Sequence, residues 1–320
     1  MFAADPDALP AAVPAAYAAT WRPPDRAGFV AVRDGRIRVA SWTGPATPRA
    51  TVLVLTGRGE FIEKYATEIV GELLVRDFAV VATDWRGQGL STRPLPDRQT
   101  GHIDDFETYM NDLDAVRRAA LPTGGPVLAL CHSMGGHVLL RSLAERGSTW
   151  LTGGLLAAPM TALKREAILR TILLLMPPVA AVDQRYLYGT GPFRVIGREF
   201  AINRVTHDER RYRFTDVWYG AEPRLLLGGP SIGWVRQAIR SVDKQNRPGL
   251  LETIVPPLTL LSAGQDRLVD SASHAPVAAR LSAGELERFD DARHEIMMET
   301  DAIRARFWHA WDRLANRALA

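Results

Sequence analysis

The sequence predicts an α/β fold: a mainly parallel central sheet with helices on both faces and a helical cap inserted late in the chain. Three observations carry that prediction. From Thr51 onward, short apolar runs alternate with helix-patterned stretches, which implies strands joined by crossover helices. Over residues 160–250 the alternation breaks into a helical pattern rich in arginine and aromatics. Strand character resumes at Pro257, so the helical stretch interrupts the sheet.

The elements follow in order. Residues 1–25 are Ala- and Pro-rich and read as a loosely ordered arm up to about Trp21. A hairpin is expected from runs 29–33 and 36–42, because Asp34-Gly35 between alternating strands is a strong turn signal. Then come a strand at 52–55, a helix near 62–75, a strand at 78–82, a helix near 106–120 and strands at 127–130 and 154–159. After the cap, strands are expected at 257–263 and 285–289. The C-terminal helix carries Ile303, Phe307, Trp311 and Leu314 at helical spacing, a core-packing stripe. The core is thus assigned to 26–159 and 251–320, and the cap to 160–250.

Bulk composition narrows the function classes. Hydrophobic residues make up 47% of the 320, enough to bury a large core. A net charge of +3, with basic residues spread out, argues against a dedicated nucleic-acid surface. Cys131 is the single cysteine, so no internal disulfide forms. The N-terminus lacks the basic and apolar regions of a signal peptide, and no apolar run reaches spanning length. These features read as a cytoplasmic protein, with contact at the inner membrane face left open.

The chemistry starts at Ser133. The strand-like run 126–132 ends in Ser133-Met134-Gly135-Gly136, followed at once by helical Val138, Leu139, Leu140 and Leu143. This is the form of a nucleophile elbow, a tight strand-to-helix turn that needs little bulk two residues either side of the serine. Gly135 meets that need on one side, and small Cys131 on the other. An elbow of this kind is followed in chain order by an acid and then a histidine. Asp266 sits at the carboxyl end of the 257–263 strand. His294 lies on the loop after the 285–289 strand, whereas His274 and His309 fall in helices. A serine hydroxyl needs a neighbouring base, and the base needs an acid to hold its tautomer. Ser133, His294 and Asp266 supply the three types in the right settings. Asp270, Asp290 and Asp291 are competitors for the acid. The loop Thr56-Gly57-Arg58-Gly59-Glu60 follows the 51–55 strand. Its backbone N–H at Arg58, with that of Met134, would form the oxyanion site.

With those residues in place, the chain resembles the α/β-hydrolase superfamily and, within it, the bacterial lysophospholipase and monoacylglycerol lipase group. The stretch Gly57-Arg58-Gly59-Glu60-Phe61-Ile62-Glu63-Lys64-Tyr65 is similar to the group's oxyanion-loop motif, with Thr56 where histidine is usual. Asp84-Trp85-Arg86-Gly87-Gln88-Gly89 is similar to its fourth-strand loop, and His132-Ser133-Met134-Gly135-Gly136 to its elbow. The segment 227–234 looks like a piece of the cap in the lysophospholipase branch. The resemblance implies an α/β-hydrolase fold and a serine carboxylic-ester hydrolase that needs no cofactor or metal and acts on a small-molecule lipid ester. The alternatives are a serine hydrolase of non-lipid esters, thioesters or peptides, and an inactive hydrolase fold that only binds.

Substrate choice would be written in the cap. Ile168, Ile172, Leu175 and Met176 either line an acyl channel, touch a membrane surface or pack the cap on the core. Phe193, Phe200, Trp218, Tyr219 and Trp234 carry the same ambiguity. Ile172, Met176, Trp218 and Trp234 are taken as the substrate contacts. Arg198, Arg204, Arg210, Arg211 and Arg213 either hold a phosphate head group or form a solvated basic face.

Overall fold

The computed structural model describes residues 2–194 and 199–320. The chain opens with a hairpin of β1 (Arg26–Val32) and β2 (Gly35–Trp42), then β3 (Thr51–Leu55), α1 (Ile62–Glu68), α2 (Val70–Leu74) and β4 (Ala79–Thr83). Next come α3 (Phe106–Ala120), β5 (Val127–His132), α4 (Met134–Arg146) and β6 (Gly153–Ala157). Four helices precede the next strand: α5 (Glu166–Leu174), α6 (Ala180–Asp183), α7 (Glu209–Ala221) and α8 (Ile232–Gln245). The chain closes with β7 (Leu258–Ala263), α9 (His274–Arg280), β8 (Gly284–Phe289) and α10 (Asp301–Leu319). The eight strands lie in the order β1-β2-β4-β3-β5-β6-β7-β8. β1 and β2 pair antiparallel, as do β2 and β4; the remaining pairs are parallel.

The inner strands are apolar on both faces, as a sheet covered twice requires. Along β3, Val52 and Val54 face a core packed by α1, α2 and α10, while Leu53 and Leu55 face one packed by α3, α4, α8 and α9. Side chains alternate across a strand, so one five-residue segment serves two cores. The stripe Ile303, Phe307, Trp311 and Leu314 is buried in the first of these.

Three local expectations need correction. The hairpin turn sits one residue earlier than read: Val32 pairs with Gly35, and Asp34 takes a left-handed φ of 58°. The helix over 62–75 is two helices, because Ile69 leaves helical geometry at φ −121°. The N-terminal arm is docked rather than loose. Phe2, Ala8 and Tyr17 are buried, the N–H of Asp5 donates to Ala27, and Tyr17 packs on Phe214 with ring centroids 4.5 Å apart. Burying these side chains offsets the entropy of ordering the arm.

Candidate active site

The turn at Ser133 is built by its neighbours. Ser133 has φ 48° and ψ −114°, a conformation that costs a non-glycine residue energy and is held by the surrounding structure. Its N–H donates to the carbonyl of Ala157 at 3.0 Å, and its own carbonyl accepts from Met160 and His137. A β-carbon at Gly135 would collide with the carbonyls of Leu55 and Thr56 at the end of β3, so glycine is required there. Cys131, fully buried, pairs with Leu55 across the sheet; burial pushes its thiol up, which makes it a packing residue.

The loops after β5, β7 and β8 converge on this turn. Ser133 Oγ lies 3.0 Å from His294 Nε2, and His294 Nδ1 lies 2.6 Å from Asp266 Oδ2. The other carboxylate oxygen of Asp266 accepts the N–H groups of Leu268 and Val269 at 2.8 and 2.9 Å. Burial raises the Asp266 pKa, but the His294 ring and these two N–H groups outweigh it and hold the carboxyl below its ordinary range. The three residues expected to form a triad are therefore linked in a row, with His294 between Ser133 and Asp266, each less than a tenth exposed. The competing acids Asp270, Asp290 and Asp291 bond instead to Lys164, Arg288 and Arg306.

The N–H of Met134 opens α4 and has no acceptor in its own helix. The Arg58 N–H, on the loop after β3, has no protein acceptor among the described residues. Gln88 pins that loop: its amide donates to the carbonyls of Gly57 and Glu60 at 2.8 and 3.1 Å, and its Oε1 accepts the N–H of Gly59. Asp84, at the start of the same 84–89 motif, accepts from the N–H groups of Ile62 and Leu90 and pairs with buried Arg38. The motif is thus a scaffold for the 56–60 loop.

A buried ionic network beneath the loop escaped the sequence reading. Glu60 Oε2 accepts from the Gly57 N–H at 2.5 Å, the Tyr65 hydroxyl at 2.6 Å and His132 Nδ1 at 2.9 Å. Its other oxygen pairs with Lys64, which also pairs with Glu295 at 2.7 Å. Burial works against Glu60 ionising, yet His132 and Lys64 hold its carboxyl well below the ordinary range. His132 Nε2 faces the main-chain carbonyl of His294 at 3.2 Å, so both ring nitrogens meet acceptors. Burial disfavours the imidazolium, but Glu60 more than compensates and raises the His132 pKa. The run 60–68 carries four charged residues, yet every residue of α1 is buried. The one usable signal was His132, a titratable ring directly before the nucleophile.

Ser133, His294, Met134 and Arg58 line one cleft of about 360 Å³. Its walls are mostly apolar: Met160, Leu163, Leu169, Leu187, Val205, Pro230, Trp234, Val235, Leu268 and Val269. Trp234 is thus a wall residue. The other three expected contacts are not. Trp218 is fully buried in an aromatic cluster with Trp21 and Phe214 that fastens α7 to the core and the N-terminal arm. Ile172 and Met176 lie outside the cleft lining, because α5 turns Leu169 to the cleft and Leu173 to the core. Leu175 and Ile168 are exposed.

The arginines also divide. Arg210 and Arg211 pair with Glu68, and Arg213 pairs with Glu209 and Asp216, so these three serve structure. Arg198 lies outside the described residues. Arg204 is exposed and lines a second hollow of about 640 Å³, together with Lys164, Arg165, Arg267, Ile168, Leu169 and Leu268. Lys164, Leu169 and Leu268 belong to both spaces, so the basic hollow adjoins the cleft.

This strand order, with a strained serine between β5 and α4 and a histidine and an aspartate meeting it from the loops after β8 and β7, defines the class: an α/β hydrolase. Residues 46–301 match the model of the family described as serine aminopeptidase, S33 (Hydrolase_4), and the chain belongs to that family. It is 33% identical to lysophospholipase L2 of Escherichia coli K12 over 93% of this chain and 89% of that one. It is 25% identical to human monoglyceride lipase over 72% of this chain and 69% of that one. A soluble variant of the Saccharomyces cerevisiae monoglyceride lipase, solved with a substrate analogue, superposes with a TM-score of 0.73 at 18% identity, over 95% of this chain and all of that one. No helix among the described residues is long and apolar enough to cross a membrane.

Proposed function

We propose that this chain is a serine carboxylic-ester hydrolase that releases a fatty acid from a single-chain lipid, a lysophospholipid or a monoacylglycerol. The observation that carries this reading is the Ser133–His294–Asp266 contact at the floor of an apolar cleft. The resemblance to lysophospholipase L2 supports the substrate class. Ser133 Oγ attacks the ester carbonyl while His294 Nε2 takes its proton. Asp266 holds Nδ1 protonated and stabilises the imidazolium. The N–H groups of Met134 and Arg58 receive the oxyanion. His294 then protonates the departing alcohol, and a water activated by the same nitrogen cleaves the acyl-enzyme.

The family's description names a peptidase. An aminopeptidase must meet a substrate ammonium with a free carboxylate. The carboxylates of the cleft wall, Glu60 and Glu295, are already paired with His132 and Lys64. That pairing favours the ester reading.

The helices between β6 and β7 act as the cap, and the cap rim is the face that meets lipid. Lys164, Arg165, Arg204 and Arg267 ring the hollow beside the cleft, Ile168 lines it, and Leu174 and Leu175 at the end of the same helix are exposed. Cations over apolar tips suit an anionic lipid surface. The protein thus works as a peripheral enzyme at an anionic lipid surface. A fluorophosphonate probe followed by peptide mass spectrometry tests the nucleophile. A chain-length series of synthetic esters tests the substrate class: long acyl chains favoured supports the lipid reading, and short chains favoured overturns it.

A further inference from the structure

Arg58 enters the proposed mechanism only through its backbone, yet its side chain is the anomaly of the cleft. The guanidinium carbon lies 5.4 Å from the centroid of the Trp234 ring. It also lies against Gly101, where a β-carbon would collide with Nη2. Nη2 donates to the carbonyl of Gly228 at 2.9 Å; Nε is buried with no partner. No carboxylate among the described residues stands within ion-pair distance. Burial lowers its pKa to about 10, against the opposing influence of the Tyr109, Tyr219 and Tyr186 hydroxyls, so it stays cationic at neutral pH.

The buried arginines show how unusual this is. Arg38 pairs with Glu63 and Asp84, Arg86 with Asp112, and Arg211 with Glu68, Asp208 and Asp301. Arg93 also lacks a carboxylate, but its two terminal nitrogens contact five backbone carbonyls, and it stands outside the cleft. Arg58 is half-buried, but its Nε is shut off from water, and a cation so placed without a counter-charge is costly. The cost is recovered when an anion enters, and a guanidinium fork fits phosphate oxygens.

We infer that the Arg58 side chain is an anion subsite that reads a phosphate diester on the alcohol side of the scissile ester, selecting lysophospholipids over monoacylglycerols. This rests on the proposed lipid-ester reading. A monoacylglycerol offers only hydroxyls there, whereas a lysophospholipid carries its phosphate a few bonds from the ester oxygen. The hollow ringed by Lys164, Arg165, Arg204 and Arg267 is then left to the lipid surface and the cleft to the single head group.

The test compares wild type with Arg58→Met and Arg58→Lys. The first readout is the ratio of kcat/KM for lysophosphatidylcholine to that for a monoacylglycerol of the same chain. It should fall at least about tenfold in Arg58→Met, since a charge-assisted hydrogen bond is at stake. Arg58→Lys, which keeps the charge and loses the fork, should lie between. The second readout is inhibition of synthetic-ester hydrolysis by dodecylphosphocholine, by 1-O-dodecylglycerol and by inorganic phosphate. Inhibition by dodecylphosphocholine should weaken about tenfold relative to that by the neutral ether. Inhibition by inorganic phosphate that tracks Arg58 as strongly as the lipid's would assign the site to the free ion and overturn head-group reading. An unchanged substrate ratio with both lipids cleaved overturns this inference alone. Cleavage of neither lipid by wild type overturns the lipid reading and this inference with it. If Arg58→Met does not fold, Arg58→Lys decides: a ratio equal to wild type contradicts recognition by the fork.

Discussion

The ring of His132 meets the main-chain carbonyl of His294 through Nε2 at 3.2 Å and Glu60 through Nδ1 at 2.9 Å. One imidazole ring thus ties the loop that carries His294, the proposed base, to the loop that carries Arg58, the proposed oxyanion donor. The contact explains how three loops from distant parts of the chain hold a shared geometry. It also makes that geometry sensitive to pH.

His132 has a folded pKa raised above its ordinary value, and Glu60 one depressed below its own. For the histidine, the linked stability is full below its unfolded pKa and is lost as pH rises through the folded value. For the glutamate, it is full above the unfolded pKa and is lost as pH falls through the folded one. The pair therefore contributes most between about pH 4.5 and 6.5. The Tm difference between wild type and His132→Asn should be widest between about pH 4.5 and 6.5 and shrink as the pH rises through the raised folded pKa of His132. A difference that grows with pH would contradict the imidazolium.

Glu60→Gln places an amide N–H₂ among donors from Gly57, Tyr65, His132 and Lys64. Breaking such a buried network should cost about 3 kcal/mol of stability. Activity should fall mainly in kcat, because the Glu60 carboxylate is taken up in positioning the 56–60 loop that carries the proposed oxyanion donor. Denaturant unfolding and a KM-against-kcat comparison measure the two effects, and a loss confined to KM would argue against positioning.

Ser133 is held at φ 48° by its neighbours, at a cost glycine would not bear. Ser133→Gly should abolish ester cleavage while raising stability by about 1 kcal/mol. Thermal unfolding of Ser133→Gly beside Ser133→Ala reads this directly; equal Tm values would mean the turn stores no strain.

Asp266→Asn should leave the fold intact and lower kcat about 10⁴-fold, because the amide no longer fixes the protonated Nδ1 of His294. Steady-state kinetics with a synthetic ester, at matched circular dichroism, gives the number. A loss below about tenfold would reassign the acid.

Gly135→Ala tests the elbow's packing. The added methyl meets backbone at Leu55 and Thr56, which cannot rotate away as a side chain would. Loss of about 3 kcal/mol or more is expected from overpacking. Denaturation midpoints settle it, and a neutral effect would mean that β3 and α4 sit further apart.

Much of this architecture is legible in the chain, and the limits have physical causes. The parallel strands show as unbroken apolar runs because both faces are buried, so β3, β5 and β7 read clearly. Ser133, Asp266 and His294 stand out because each follows a strand. The ionic network did not read, because a charged residue usually signals solvent; Glu60, Glu63 and Lys64 bury their charges against each other and against Arg38 and His132, which are distant in sequence. Trp218 was misplaced for the related reason that an aromatic on a cap helix has two faces to choose between. The partner that decided it, Trp21, lies in an arm that composition alone suggests is loose.

The most direct test of the account is fatty-acid release from lysophosphatidylcholine, lysophosphatidylethanolamine and a monoacylglycerol, with Ser133→Ala as control. The account predicts release from these lipids by wild type, abolished in the variant. Release that persists in Ser133→Ala would contradict the nucleophile. Failure to cleave any of the three while short synthetic esters are still hydrolysed would contradict the lipid substrate.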